Sequence, residues 1–176
     1  MPTLTYPSAT FPGRPTLRLD LPEGWAAIPA VDDLAGAALV AVRSAPPGEF
    51  RPNVVVTVDE APADHSVRHD LDGVARLATE RDAGVAGEVH ALNLGGVTFF
   101  GRGLSYIDPR AGTLLVRNLF GFVRRDVDGA LFRITVTGTI GSTNRPDDSA
   151  ELAGAIGRLQ VTAGEGTTPL LHEDNP

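Results

Sequence analysis

His65 and His69 stand four residues apart in the stretch DHSVRHDLDG, an interval that stacks two imidazoles on one face of a helix. Two ligands of a zinc site can be built that way, and Asp64, Asp70 and Asp72 lie close by. However, no Glu follows His65 directly, as zinc peptidases require, and no third ligand stands at a recognisable interval. The competing reading is a solvated helix end. The histidines sit beside Val67 and Leu71 rather than among them, which points the pair toward water. No resident metal and no cofactor is expected.

Arg117, Arg125 and Arg133 form the second group with chemical potential. They fall on adjacent predicted strands and share the parity of exposed positions, while Phe120 and Phe122 face away from Arg117. Such an Arg stripe on an open sheet surface would attract an acidic partner or an anionic ligand. The alternative is a solvated face laced with Arg124, Asp126 and Asp128. Other motifs fall away. Gly95-Gly96 and Gly101-Arg102-Gly103 match neither the dinucleotide nor the Walker pattern, and glycines inside a strand permit a bulge or a close approach instead. Ser105 lies between Leu104 and Tyr106 in a strand, not in a GxSxG elbow, and Glu80, Asp82 and Glu88 carry no pairing signal. The chain reads as non-enzymatic, with an unrecognised enzyme built on the carboxylates or on His65 and His69 as the least favoured alternative.

The elements that must position these residues are legible from periodicity. Four prolines in the first fifteen residues break regular structure, so residues 1–14 are expected to form an extended N-terminal arm. Leu17, Leu19 and Leu21 then alternate with Arg18 and Asp20, the period of a half-buried strand. Pro22-Glu23-Gly24 makes a turn and Trp25 anchors it to the core. Strands follow at 37–43 and 53–59, the latter β-branched throughout. Residues 64–83 carry Val67, Leu71, Val74 and Ala78 at helical spacing, with Asp64 or Ser66 to cap the start and Gly84 to end it. Gly73 is a weak point in that helix. Four strands come next, at 87–94, 96–106, 113–125 and 130–138, with short turns rich in Gly and Asp that imply hairpins. A last helix over 147–160 shows a stripe of Leu152, Ala155, Ile156 and Leu159, and residues 164–176 are expected to be a mobile tail. The expectation is a single α+β domain over residues 15–163, with a mainly antiparallel sheet of six to seven strands flanked by helices.

Composition narrows the function. All fifteen cationic side chains are Arg, which with abundant Ala, Gly, Val and Asp indicates the coding bias of a GC-rich, actinobacterial-type genome. The net charge of −7 opposes binding to nucleic acid or anionic lipid. Without Cys there are no disulfides or thiolate metal sites, and no segment approaches the roughly 20 apolar residues of a membrane span. The first residues lack a signal-peptide pattern and an acylatable Cys, so a cytoplasmic location is expected.

Leu21-Pro22-Glu23-Gly24-Trp25 and Pro52-Asn53-Val54-Val55-Val56, in this order of elements, resemble the Mog1/PsbP-like superfamily, nearest to its actinobacterial LpqN/LpqT-type lipoproteins. The likeness covers about residues 15–162. It implies a sheet sandwiched by helices and a non-enzymatic adaptor that binds other proteins, with no catalytic residues to carry over. The lipoprotein signal and its Cys are not matched. A protein partner is thus the leading expectation, with a small apolar or anionic ligand between sheet and helix as the alternative, and the chain acting as monomer or homodimer.

Overall fold

The computed structural model describes residues 2–6, 14–28, 37–142, 147–162 and 167–170. Its strands are β1 (Thr3–Tyr6), β2 (Thr16–Asp20), β3 (Trp25–Ala27), β4 (Ala37–Arg43), β5 (Asn53–Ala61), β6 (Val85–Leu94), β7 (Val97–Asp108), β8 (Gly112–Arg125), β9 (Leu131–Gly141), β10 (Leu159–Thr162) and β11 (Thr167–Pro169). The helices are α1 (Val67–Glu80) and α2 (Asp148–Ile156).

The meander β6–β7–β8–β9 forms as its turns dictate. Gly95 and Gly96 both take positive φ, 60° and 92°, the two-residue geometry that matches the twist of a tight hairpin. The central sheet runs β3-β4-β5-β9-β8-β7-β6, with β11 beside the end of β8, and every pairing in it is antiparallel. At eight strands it is larger than the six to seven expected, and a second sheet, β1-β2-β10, was not foreseen. Period-two alternation identifies Leu17 and Leu19 as the buried side of a strand, but it does not say which sheet they join. Their strand pairs with β1 on one side and β10 on the other.

Two apolar layers hold the sheet. On one face Leu17, Leu19, Leu159 and Val161 of the small sheet and Leu152, Ala155 and Ile156 of α2 pack on Val56, Phe99, Phe132 and Ile134. On the other, Val67, Leu71, Val74 and Ala78 of α1 pack on Phe100, Leu104, Phe120 and Phe122. Each fully buried Leu or Phe contributes on the order of 1.5–3 kcal/mol. Trp25 is buried in the first layer, the anchoring role its place after the turn suggested. Gly121 is required there, since a Cβ on it would stand 2.7 Å from the Phe99 ring.

The start of α1 is as expected, and the other helix ends differ from expectation in instructive ways. Ser66 caps α1, its Oγ accepting from the His69 amide at 3.4 Å. The helix stops at Glu80, where the Arg81 amide closes back on the Ala78 carbonyl. Asp147 precedes α2 without a side-chain cap, its backbone already helical (φ −77°, ψ −12°) rather than extended, and Asp148 turns inward to Arg43. Leu159, the supposed end of the α2 stripe, belongs to β10 and opposes Leu19. Its distance from Ile156 suits a helix turn, and only the pairing with β2 decides otherwise.

Candidate functional site

His65 does not face water. Its Nε2 lies 2.9 Å from Asp70 Oδ2, its ring centroid lies 5.7 Å from that of Phe122, and its side chain is only 12% exposed. Asp70 turns inward because it neighbours Leu71 on the buried side of α1, and its second oxygen accepts from Arg133 Nη1 at 2.9 Å. His69 remains exposed, with its ring edge-on to His65 at 5.4 Å. Among the described residues no three His, Cys, Asp or Glu side chains are grouped to hold a metal ion. Beside this network an open groove of about 320 Å³ runs between α1 and the sheet, lined by Gly73, Arg76 and Leu77 above and Asn118, Phe120 and Arg133 below. A Cβ on Gly73 would meet nothing within 4 Å.

The three arginines do not form a stripe. In the register between β8 and β9, Arg117 opposes Gly138 and Phe122 opposes Arg133. Each pair joins an odd position to an even one, so parity inverts between the strands and Arg133 shares the α1 face with Phe122. Arg117 lies on the opposite face, beside α2. Arg125 sits at the far end of β8, where Nε and Nη2 donate to Asp128 at 2.8 and 2.6 Å and the guanidinium rests 5.3 Å from the Phe132 ring centre. The Arg125 hydrogen bonds, helped by the Ala130 amide, hold the Asp128 carboxyl down to about 2.

On the α2 face, the outer part of the sheet is left uncovered. Successive rows across β6, β7 and β8 are Val85–Ser105–Leu115, then Gly103–Arg117, then His90–Gly101–Leu119. Val85, Gly87, Gly103, Leu115 and Ser149 line a shallow hollow of about 290 Å³. His90, Leu92, Leu119, Ala153 and Ile156 line a second of about 210 Å³, and Arg117 borders both. Together they make a trough between α2 and the sheet edge. Its floor is low because Gly87 and Gly103 carry no side chain, and its walls keep large apolar groups in water, Val85 at 62% and Leu115 at 41% exposed. The exposed Arg117 has no hydrogen bond or ion pair among the described residues. At the border of the trough β6 pairs only with β7 among the described strands, and nearly all of its side chains are exposed. Sequence reading named Arg117 as an interaction residue but missed the apolar hollows on either side of it. The available signal was glycine at 87 and 103 on neighbouring strands, which leaves a sheet face bare. Gly101, by contrast, admits a close approach: a Cβ there would stand 2.2 Å from Leu119 Cδ2.

No protein-family model matches the chain, and no curated protein matches it. Solved structures do. LpqN of Mycobacterium tuberculosis, described as involved in cell envelope biogenesis, superposes with a TM-score of 0.67 at 19% identity, over 91% of this chain and 91% of that one. The cyanobacterial PsbP (CyanoP) of Synechocystis sp. PCC 6803 superposes with a TM-score of 0.53 at 14% identity, over 90% of this chain and 92% of that one. At such identities the likeness is one of architecture, and it is nearly end to end: the chain has the Mog1/PsbP-like fold.

Proposed function

We propose that this domain is a non-enzymatic adaptor that docks a protein partner on the trough between α2 and β6. The observation that carries the reading is Arg117, exposed and unpaired among the described residues, set between two apolar hollows on an uncovered sheet face. An apolar surface with one cation at its centre suits a protein, whereas the net charge of −7 disfavours nucleic acid. The fold likeness to LpqN and CyanoP supports a binding role by analogy of architecture. The test is site-specific photocrosslinking in the native cell, with the crosslinker at Leu92 or Leu115 and a control at Arg68 on the exposed side of α1. A partner crosslinked from the two trough positions but not from Arg68, and retained through several salt concentrations, is the expected outcome. Failure to trap any specific protein from the trough would overturn the reading.

A second reading places a small anionic ligand in the groove beside α1. It is favoured by the donor balance there. Both oxygens of Asp70 are taken by His65 and Arg133, and Asn118 Oδ1 accepts from Thr137, which leaves the Asn118 amide, His69 and Arg76 as donors. Thermal-shift measurements with inorganic phosphate and a carboxylate panel, on the native protein and on Arg76→Ala, test it. A shift lost in the variant supports the ligand, and no shift with any compound removes it.

A further inference from the structure

The trough has a chemistry more specific than that of a general docking surface. Resting on the proposal that this surface is the one used, we infer that its occupant is an extended segment of the partner in which two apolar side chains, four residues apart, flank a carboxylate.

Spacing sets the pattern. The Val85–Leu115 row and the His90–Leu119 row lie two rows apart, with Arg117 on the row between. Four residues of strand at about 3.3 Å each span about 13 Å, and side chains two apart point the same way. An extended segment lying along β7 therefore presents positions i, i+2 and i+4 to the first hollow, to Arg117 and to the second hollow in turn.

Width selects an extended chain over a helix. The walls are carried by β6 and β8, two inter-strand spacings apart, or about 9–10 Å. A helix with its side chains is about 10–12 Å across and would ride on Val85 and Leu115 without reaching the glycine floor.

Charge selects the middle residue. Covering Arg117 with an apolar group would strip water from an unpaired guanidinium, whereas a carboxylate accepts two of its N–H groups side by side. The first hollow takes its apolar residue against Val85 and Leu115, and the second against Leu92, Ala153 and Ile156.

A charge swap decides the matter. Fluorescent peptides with a central Leu-Ser-Glu-Ser-Leu, and the same peptide with Lys in place of Glu, are titrated against the native chain and against Arg117→Glu. The native protein is expected to bind the Glu peptide at least about tenfold more tightly, and Arg117→Glu to reverse the order. Amide shifts in NMR spectra of the native protein should map to Val85, Gly103 and Leu115. Equal binding of the two peptides, no binding of either, or a preference that the swap leaves unchanged would overturn the inference. If that happens while crosslinks from Leu92 and Leu115 still trap a partner, the docking surface stands and only the segment chemistry is wrong. Crosslinks solely to a second copy of this chain would overturn both.

Discussion

Arg133 on β9 donates from Nη1 to Asp70 Oδ1 on α1 at 2.9 Å, while the same carboxylate holds His65 through its other oxygen. One nearly buried acid thus ties the start of the helix to the middle of the sheet. Asp70→Asn keeps the shape but removes the charge that Arg133 needs. The expected loss is about 1–3 kcal/mol, because Arg133 is partly exposed and retains Asp59 at 3.6 Å. Urea unfolding measures it, and an unchanged midpoint would show that the pair is screened by water.

Arg43 and Asp148 make the sterner case. Both side chains are buried, Arg43 at the end of β4 and Asp148 at the start of α2, and Glu151 adds a second partner for Arg43. Removing Asp148 leaves the buried Arg43 only the half-exposed Glu151 as a charged partner among the described residues, so Asp148→Leu is expected to cost up to about 3 kcal/mol, below the roughly 3–5 kcal/mol of a fully orphaned charge. The double variant Arg43→Met with Asp148→Leu should recover most of that loss, since no orphan charge remains. Chemical denaturation of the single and double variants checks both outcomes, and equal losses would contradict the argument.

Gly73 and Ala83 are each in the place that suits the other. Gly73 lies inside α1 with open space where a Cβ would be, so Gly73→Ala should stabilise the fold by about 0.5–1 kcal/mol through the unfolded chain. Ala83 takes φ 49°, where a Cβ crowds the carbonyl, and Ala83→Gly should relieve roughly 1 kcal/mol of strain. Gly84 must stay, because a Cβ there would lie 2.0 Å from the Ala78 carbonyl oxygen. Melting temperatures should rise for the first two substitutions and fall for Gly84→Ala.

Acid should loosen the β8–β9 turn. Asp128 is depressed from 3.8 to about 2 by the hydrogen bonds from Arg125, and by the Ala130 amide. A carboxyl lowered on folding contributes stability above its unfolded value of 3.8, and that contribution disappears as pH falls through about 2. Asp128→Asn should therefore be less stable than the native chain near neutrality, with the gap closing across that interval. NMR titration of the Asp128 carboxyl, with unfolding curves at several pH values, checks the direction. Asp20, held down by Thr3 and Arg18, and Asp108, held down by the Arg110 and Ala111 amides, should titrate low in the same sense.

Local periodicity by itself determined much of this protein. Alternation at Phe132, Ile134 and Val136 fixed one buried face of β9, the Gly and Asp turns fixed the hairpins, and the Val67, Leu71, Val74 and Ala78 stripe fixed the buried face of α1. Those patterns arise from the geometry of one element and need no partner to be read. The tertiary structure decided everything that depends on register or layer. It sent β2 to a second sheet through β10, far along the chain, and placed β11 beside the end of β8. It also inverted parity between β8 and β9, so that Arg133 went under α1 while Arg117 stayed in water on the other side. The same pairing set bare glycines 87 and 103 side by side between Val85 and Leu115 and so opened the trough. A sequence states which side chains of a strand point together, but which strands lie next to each other is set by contacts between residues distant in the chain.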